Sequence, residues 1–480
     1  MLFSSYQFIF IFLPLAFSLY FFLNKLDFLR LATLSLALSS LFFYGWWNIK
    51  YLPLILFSIL VNYLIGILVL RVKVKQLFLV IGILFNLLLL GYFKYSDFFI
   101  QNINYAFNGN YATFSILLPL AISFFTFQQI AYLVDSYKGY VERQSFLTYL
   151  VFVTFFPQLI AGPIVHHKEM MPQFNKARNK LINYKNIYLG ILIFTIGLFK
   201  KVFIADSFAI WATNGFDLMD SLTLIEAWVT SLSYTFQLYF DFSGYTDMAL
   251  GIALLFNIRL PINFNSPYKS TNIRDFWKRW HITLSRFLRD YIYIPLGGSR
   301  RGEFRLYTNL LTTFLIGGLW HGAGWTFVFW GAMHGFGVVI HRFWSKLNIK
   351  INNLCAWFIT FNFINLTWIF FRAENWEEAI KVLKGMFGFS GIVLPVFMEK
   401  IFFLQTEDIK FGEVFYNFNS DTEVTLWILI AFYICLFKNN SNQIISENKP
   451  NNKSLFFIVL LFTVSLMHLE KNVNFIYFNF

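Results

Sequence analysis

The chain has 480 residues, of which 58% are hydrophobic, 22% aromatic and only 13% charged, and its mean hydropathy is +0.58. A soluble globular domain carries roughly 25% charged residues, so a single water-exposed core is excluded and many apolar spans are required. The formal charge of +13, from 38 basic and 25 acidic residues, reads as cytoplasmic loops beside anionic lipid rather than a nucleic-acid footprint; a site for an acidic donor is the second use of the same charge.

In chain order, apolar segments fall at about 6–23, 31–47, 52–70, 76–93, 114–134, 187–211 and 224–240, then near 307–320, 325–341, 355–371, 422–437 and 454–469. Crossing a bilayer takes ~20 helical residues, so the shorter ones are expected to be tilted, broken or re-entrant. Tyr6 to Leu23 lacks a basic n-region and a small-residue cleavage site, and reads as a retained helix rather than a signal peptide. Cys355 and Cys435 both lie in apolar runs, which suggests neither a disulfide framework nor a cysteine metal site. No internal repeat is evident.

Basic residues gather at Arg71–Lys75, at Lys138 and Arg143, over 168–185, and above all over 269–305, where nine Lys/Arg face three acids. The positive-inside rule puts these loops in the cytoplasm and the N-terminus outside. That topology requires 146–161 not to cross. Pro157, Gly162 and Pro163 support a re-entrant segment there, because proline interrupts the helical ladder. Likewise 307–341 must enter and return, which sets His321 at the deep end of a hairpin beside Gly317, Gly318, Gly322 and Gly324. Residues 373–421 read as surface helices and loops, and 438–453 as a polar connector.

An ionisable group at membrane depth marks a functional site by default. A neutral imidazole can take a proton from a hydroxyl and return it later. On the residues alone, His321 reads either as such a base or as a hydrogen-bonded structural group. His281 lies in Asn272 to Tyr293, where apolar and cationic residues alternate at helical spacing. The spacing predicts one amphipathic helix on the cytoplasmic leaflet. Asn272 and Asp275 cap its start, and Arg274, Lys278, His281, Ser285 and Arg289 share its polar face. Gly297, Gly298, Arg300 and Arg301 read as a turn, with phosphate binding as the alternative. His334 and His341, seven apart on one helix face, read as a helix seam, with a place beside His321 as the alternative. His166 and His167 make a poor metal site, because no further ligand stands nearby at zinc-like spacing. Asp241 and Asp247 fall on different helix faces, and Gly244 between them can end the helix; they read as a structural pair or as orienters of the histidines. Gln128, Gln129 and Asp135 are polar-network candidates of the same kind.

Taken together, several segments resemble the membrane-bound O-acyltransferase superfamily, in particular its bacterial branch of alginate O-acetyltransferases, with similarity also to peptidoglycan O-acetyltransferases. They are Met1-Leu2-Phe3-Ser4-Ser5, Ser123-Phe124-Phe125-Thr126-Phe127-Gln128, Pro157 to Ile164, Asp241-Phe242-Ser243-Gly244-Tyr245-Thr246-Asp247, Asp275 to Ser285, Gly318-Leu319-Trp320-His321-Gly322 and Phe475-Ile476-Tyr477-Phe478. The resemblance implies an all-α polytopic membrane protein of about ten to twelve transmembrane helices, with re-entrant and amphipathic helices around a central tunnel. It implies one domain over 1–480, with a catalytic core near 120–345 and C-terminal helices over 350–480. His321 and His281 are then the catalytic histidines, Lys278, Arg279 and Arg289 bind the donor, and Asp241, Asp247 and Gln128 support them; no metal or bound cofactor is implied.

The implied activity is transfer of acetyl from cytoplasmic acetyl-CoA across a bacterial inner membrane to an extracytoplasmic polysaccharide. Its partners would be membrane lipid and an exported or anchored esterase-like (SGNH) acetyltransferase, with no nucleic acid. Two alternatives stand beside it: D-alanyl transfer from a carrier protein to teichoic acid, and a transporter that exports polysaccharide or lipid without chemistry.

Overall fold

The computed structural model describes residues 1–399, 409–415, 418, 423–447 and 450–469. The Phe475–Phe478 segment lies outside them. The protein is mostly helical. Among the described residues five helices are long and apolar enough to cross a bilayer: Phe8–Lys25, Ile49–Arg71, Lys75–Phe107, Tyr184–Leu218 and Asn353–Arg372. Glu423–Phe437 with Ser441–Glu447 makes a sixth if that bent pair is one span, and Leu29–Gly45 and Asn452–Met467 are shorter apolar helices. The expectation of ten to twelve spans counted apolar runs that fold otherwise. The 114–134 run is helical only from Ile122, because the chain reaches it through Pro119 and a left-handed Ala121. Leu224–Leu255 is a 32-residue helix but is not among the five.

The chain forms two compact units. The first comprises the described residues of 1–199, 244–263 and 445–469. Here Phe146–Thr154 stops at Phe155, and a four-residue helix, Phe156–Leu159, follows with Pro157 in its first turn, where a missing N–H costs nothing. All residues from Thr148 to Val165 are buried, as irregular backbone in an apolar surrounding requires. Gly244 does not end its helix. A Cβ on Gly197 would lie 2.5 Å from the Gly244 carbonyl oxygen, and one on Gly190 would lie 2.8 Å from that of Gly251. These glycines let Tyr184–Phe199 approach the C-terminal part of Leu224–Leu255 backbone to backbone.

The second unit comprises the described residues of 200–243 and 264–444. Its centre is the hairpin of Glu303–His321 and Trp325–Lys346, joined by Gly322, Ala323 and Gly324. Gly318 and Gly331 set the crossing. A Cβ on Gly318 would lie 2.3 Å from Phe327 O, and one on Gly331 would lie 2.4 Å from Phe314 O. The 373–421 region is not only helix and loop. After Trp376–Met386, Ile392–Pro395 pairs in parallel with Ile409–Gly412. The first strand reads Ile-Val-Leu-Pro, in which β-branched residues favour an extended backbone. The all-α expectation is corrected by this small sheet.

Gly318→Ala is expected to force the hairpin apart, because the added methyl meets backbone rather than a movable side chain. Overpacking of this kind costs about 1–3 kcal/mol. Gly324→Ala meets only ordinary contacts at 3.5 Å or more and serves as the control. Thermal unfolding of the two variants in detergent checks this: a lowered Tm is expected for the first and a wild-type Tm for the second.

Candidate active site

Asn272 caps the basic segment as expected, its Oδ1 accepting from Asp275 N at 2.8 Å. The single amphipathic helix does not form. Ile273–Arg279 ends, Trp280 is extended, His281 is left-handed (φ 42°, ψ 55°), and a second helix runs Ile282–Leu288. The reason is burial. Trp280 is 1% exposed among Phe264, Phe276, Tyr268 and Trp368, and His281 is fully buried. On a continuous helix adjacent side chains diverge by about 100°, so Trp280 and His281 would not both point inward. The break therefore takes His281 off the polar face where the spacing places it.

His281 then meets His321, with ring centroids 6.4 Å apart. His321 is the last residue of its helix and 3% exposed, as the Gly-rich turn predicts. Its ring lies 4.9 Å from Trp320, 5.1 Å from Trp330 and 5.1 Å from Phe371. Phe242 covers His281 edge to face at 4.8 Å. His281 lies outside the five span-length helices, and burial pushes its pKa down to about 3, so it is a neutral imidazole at ordinary pH. The two histidines thus share one chamber walled by aromatic rings, where electrostatic interactions are weakly screened.

A cavity of about 800 Å³ adjoins this chamber's walls. It is lined by Arg274, Lys278, Arg286, Arg289, Arg342 and Lys346, by Trp277, Ser285 and His341, and by Thr313 and Phe314 of the helix that ends in His321. Among the described residues, no carboxylate lines it. Of the three predicted donor residues, Lys278 and Arg289 line the cavity. Arg279 pairs instead with Asp275 at 2.9 Å and is not on the wall. Arg289 also bonds Asp290 at 2.7 and 3.2 Å. Arg342 and Lys346 line the same cavity; the sequence marks them only as a basic flank, because they lie more than 50 residues from Lys278 and Arg289. Gly297 and Gly298 form a turn with positive φ, and the Gly298 carbonyl accepts from Asn309 Nδ2 at 3.0 Å.

The supporting residues separate. Asp241 belongs to the second unit and pairs with Lys201 at 2.8 Å, while Lys201 pairs with Asp206 at 2.6 Å; all three are buried. Lys201 is legible in principle, since a lysine inside the apolar run 187–211 demands a partner. Asp247 and Gln128 belong to the first unit. Asp247 is buried beside Gly197. Gln128 Nε2 donates to Phe152 O at 2.7 Å, as does Gln158 Nε2. His167 lies 3.3 Å from the Asp135 carboxylate. His334 is fully buried, and its Nδ1 accepts from Trp277 Nε1 at 3.3 Å.

Removing one member of a buried charge pair costs about 3–5 kcal/mol. Lys201→Met removes the cation that two buried carboxylates share, whereas Asp241→Asn leaves Lys201 its bond to Asp206. The expected order of destabilisation is Lys201→Met well above Asp241→Asn, read as Tm and as the yield of folded protein.

Residues 136–373 match the membrane-bound O-acyltransferase family. That span holds both histidines and the cavity wall. The peptidoglycan O-acetyltransferase of Helicobacter pylori is 48% identical over 518 aligned residues, which cover 100% of this chain and 98% of that protein. The probable alginate O-acetylase AlgI of Pseudomonas aeruginosa is 40% identical over 402 residues, 81% of this chain and 75% of that protein. The teichoic acid D-alanyltransferase of Bacillus subtilis is 27% identical over 282 residues, 54% of this chain and 70% of that protein. Two paired histidines in an aromatic chamber, a cationic cavity at its wall and end-to-end similarity to an O-acetyltransferase agree: this chain belongs to the membrane-bound O-acyltransferase family and is a multi-pass bacterial membrane enzyme that transfers acyl groups to oxygen.

Proposed function

We propose that the protein moves acetyl from cytoplasmic acetyl-CoA across the bacterial inner membrane, for O-acetylation of an extracytoplasmic polysaccharide. Peptidoglycan is the favoured acceptor and an alginate-like polymer the second. The observation that carries this reading is the juxtaposition of His321 and His281 beside a cavity lined by six cationic side chains and, among the described residues, no carboxylate. Coenzyme A is a polyanion, and Lys278, Arg286 and Arg289 on one wall with Arg342 and Lys346 on the other would hold its phosphates. His321 then acts as general base toward the attacking hydroxyl. His281, neutral and buried, holds the reacting groups in place.

The acceptor preference rests on the end-to-end relative, whose name gives peptidoglycan. The D-alanyl alternative rests on a match to about half of this chain at lower identity. In the same reading a tunnel lined by these residues links the cytoplasmic and outer faces, the 146–161 break is re-entrant, and an anchored or exported esterase-like partner completes delivery to the polymer.

His321→Ala is expected to abolish base-labile acetate on the envelope polysaccharide while the protein still inserts at wild-type levels; normal acetylation would refute the proposal. Lys278→Glu combined with Arg289→Glu is expected to raise the KM for acetyl-CoA by about tenfold or more, since each charge-assisted contact contributes about 1.5–3 kcal/mol at best, with a much smaller change in kcat. Initial rates of label transfer from radioactive acetyl-CoA in membrane vesicles check this.

A further inference from the structure

Trp330 and His334 stand four residues apart on helix Trp325–Lys346 and so share a face. Trp330 is 1% exposed and His334 fully buried. Their rings are 4.7 Å apart, and the Trp330 ring lies 5.1 Å from that of His321 at 87°. The bond from Trp277 Nε1 to His334 Nδ1 decides the tautomer. A neutral imidazole has one donor and one acceptor nitrogen, so with Nδ1 accepting, Nε2 carries the proton. Neither Trp330 Nε1 nor His334 Nε2 has a hydrogen-bond partner among the described residues. Buried donors are normally satisfied. Two that are not, on one helix face and one ring from the reacting histidine, call for an acceptor that arrives with the substrate. Trp277, which sets the tautomer, also lines the cationic cavity.

We propose that Trp330 Nε1–H and His334 Nε2–H bind the carbonyl oxygen of the acyl group during transfer. The inference rests on His321 being the base and on a thioester donor. The acceptor hydroxyl oxygen attacks the acyl carbon as His321 takes its proton. The carbonyl π pair moves onto oxygen, where the two N–H groups meet the new negative charge. Collapse re-forms the carbonyl and breaks the carbon–sulfur bond, and His321 returns the proton to the departing thiolate. Donors fixed in a dry site act on that charge without reorganisation.

The test uses membrane vesicles carrying the full-length chain, with radiolabelled acetyl-CoA as the probe and rates normalised to inserted protein. Trp330→Phe and His334→Phe keep ring packing and remove the donors. Each is expected to lower kcat about 100-fold, the effect of losing one such donor, with donor KM and Tm near wild type. His334→Gln places an amide N–H near the Nε2 position and is expected to restore most of the rate lost in His334→Phe. Wild-type kcat in Trp330→Phe or His334→Phe would overturn the proposal, as would a loss that tracks Tm or insertion alone. If Trp330→Phe does not insert, the comparison of Gln with Phe at 334 decides; equal inactivity of those two in well-inserted protein overturns it. His321→Ala runs in parallel. If it retains activity, the underlying assignment of the base fails; if it is inactive while the two donor variants stay normal, only the present inference fails.

Discussion

The site depends on burying two adjacent bulky side chains at once. Trp280 fills a cluster of aromatic rings, and His281 turns to face His321. No regular helix permits this, so the chain breaks and places a non-glycine residue in the left-handed region. That conformation costs roughly 1–2 kcal/mol. The surrounding burial offsets it, since fully burying one large apolar side chain contributes about 1.5–3 kcal/mol. The break has two further consequences. It redirects Ile282–Leu288, so that Ser285, Arg286 and Leu288 reach the cavity, and it leaves Arg274 and Lys278 on the same wall from the preceding turn. One backbone strain thus sets the two histidines beside the cationic cavity.

The second support is the close crossing of Glu303–His321 and Trp325–Lys346. Glycine at 318 and 331 brings backbone against backbone, as small residues do in membrane helix packing. The hairpin therefore presents His321 at its turn and Trp330, His334 and His341 along its return. Within that low-dielectric interior, ionised groups persist only when paired, as the Lys201 cluster with Asp206 and Asp241 is. Six further cationic side chains line the cavity; of these, Arg289 pairs with Asp290 and Lys346 with Glu303. Trp277, which lines the cavity, and Trp330, which lies against His321, stand with their rings 5.9 Å apart.

Much of this arrangement is legible in the order of the residues. An ionisable residue beside Gly317, Gly318, Gly322 and Gly324 marks His321, because both the histidine and the glycines are costly in an apolar helix unless something requires them. The cap at Asn272 and the turn at Gly297 follow from local hydrogen bonding and φ preference. The His281 break is not legible, because its cause is the packing of Trp280 against rings that come from 264, 268 and 368. Helical spacing therefore returns a continuous helix and the wrong face. Gly244 misleads in the opposite sense: its helix propensity is poor, but a neighbouring helix occupies the space beside it.

Residue order alone is enough to establish a polytopic membrane protein, the place where its hairpin turns and the histidine that stands at that turn. These follow from composition, loop charge and the energetic penalty of polar groups in lipid, all of which act locally along the chain. Tertiary packing is what makes His281 face His321, brings Arg342 and Lys346 to the cavity, and sets Asp241 against Lys201. Each of these is a contact between residues distant in sequence or a choice between equivalent neighbours, and such choices are settled by which side chain fits the space that the rest of the fold leaves open.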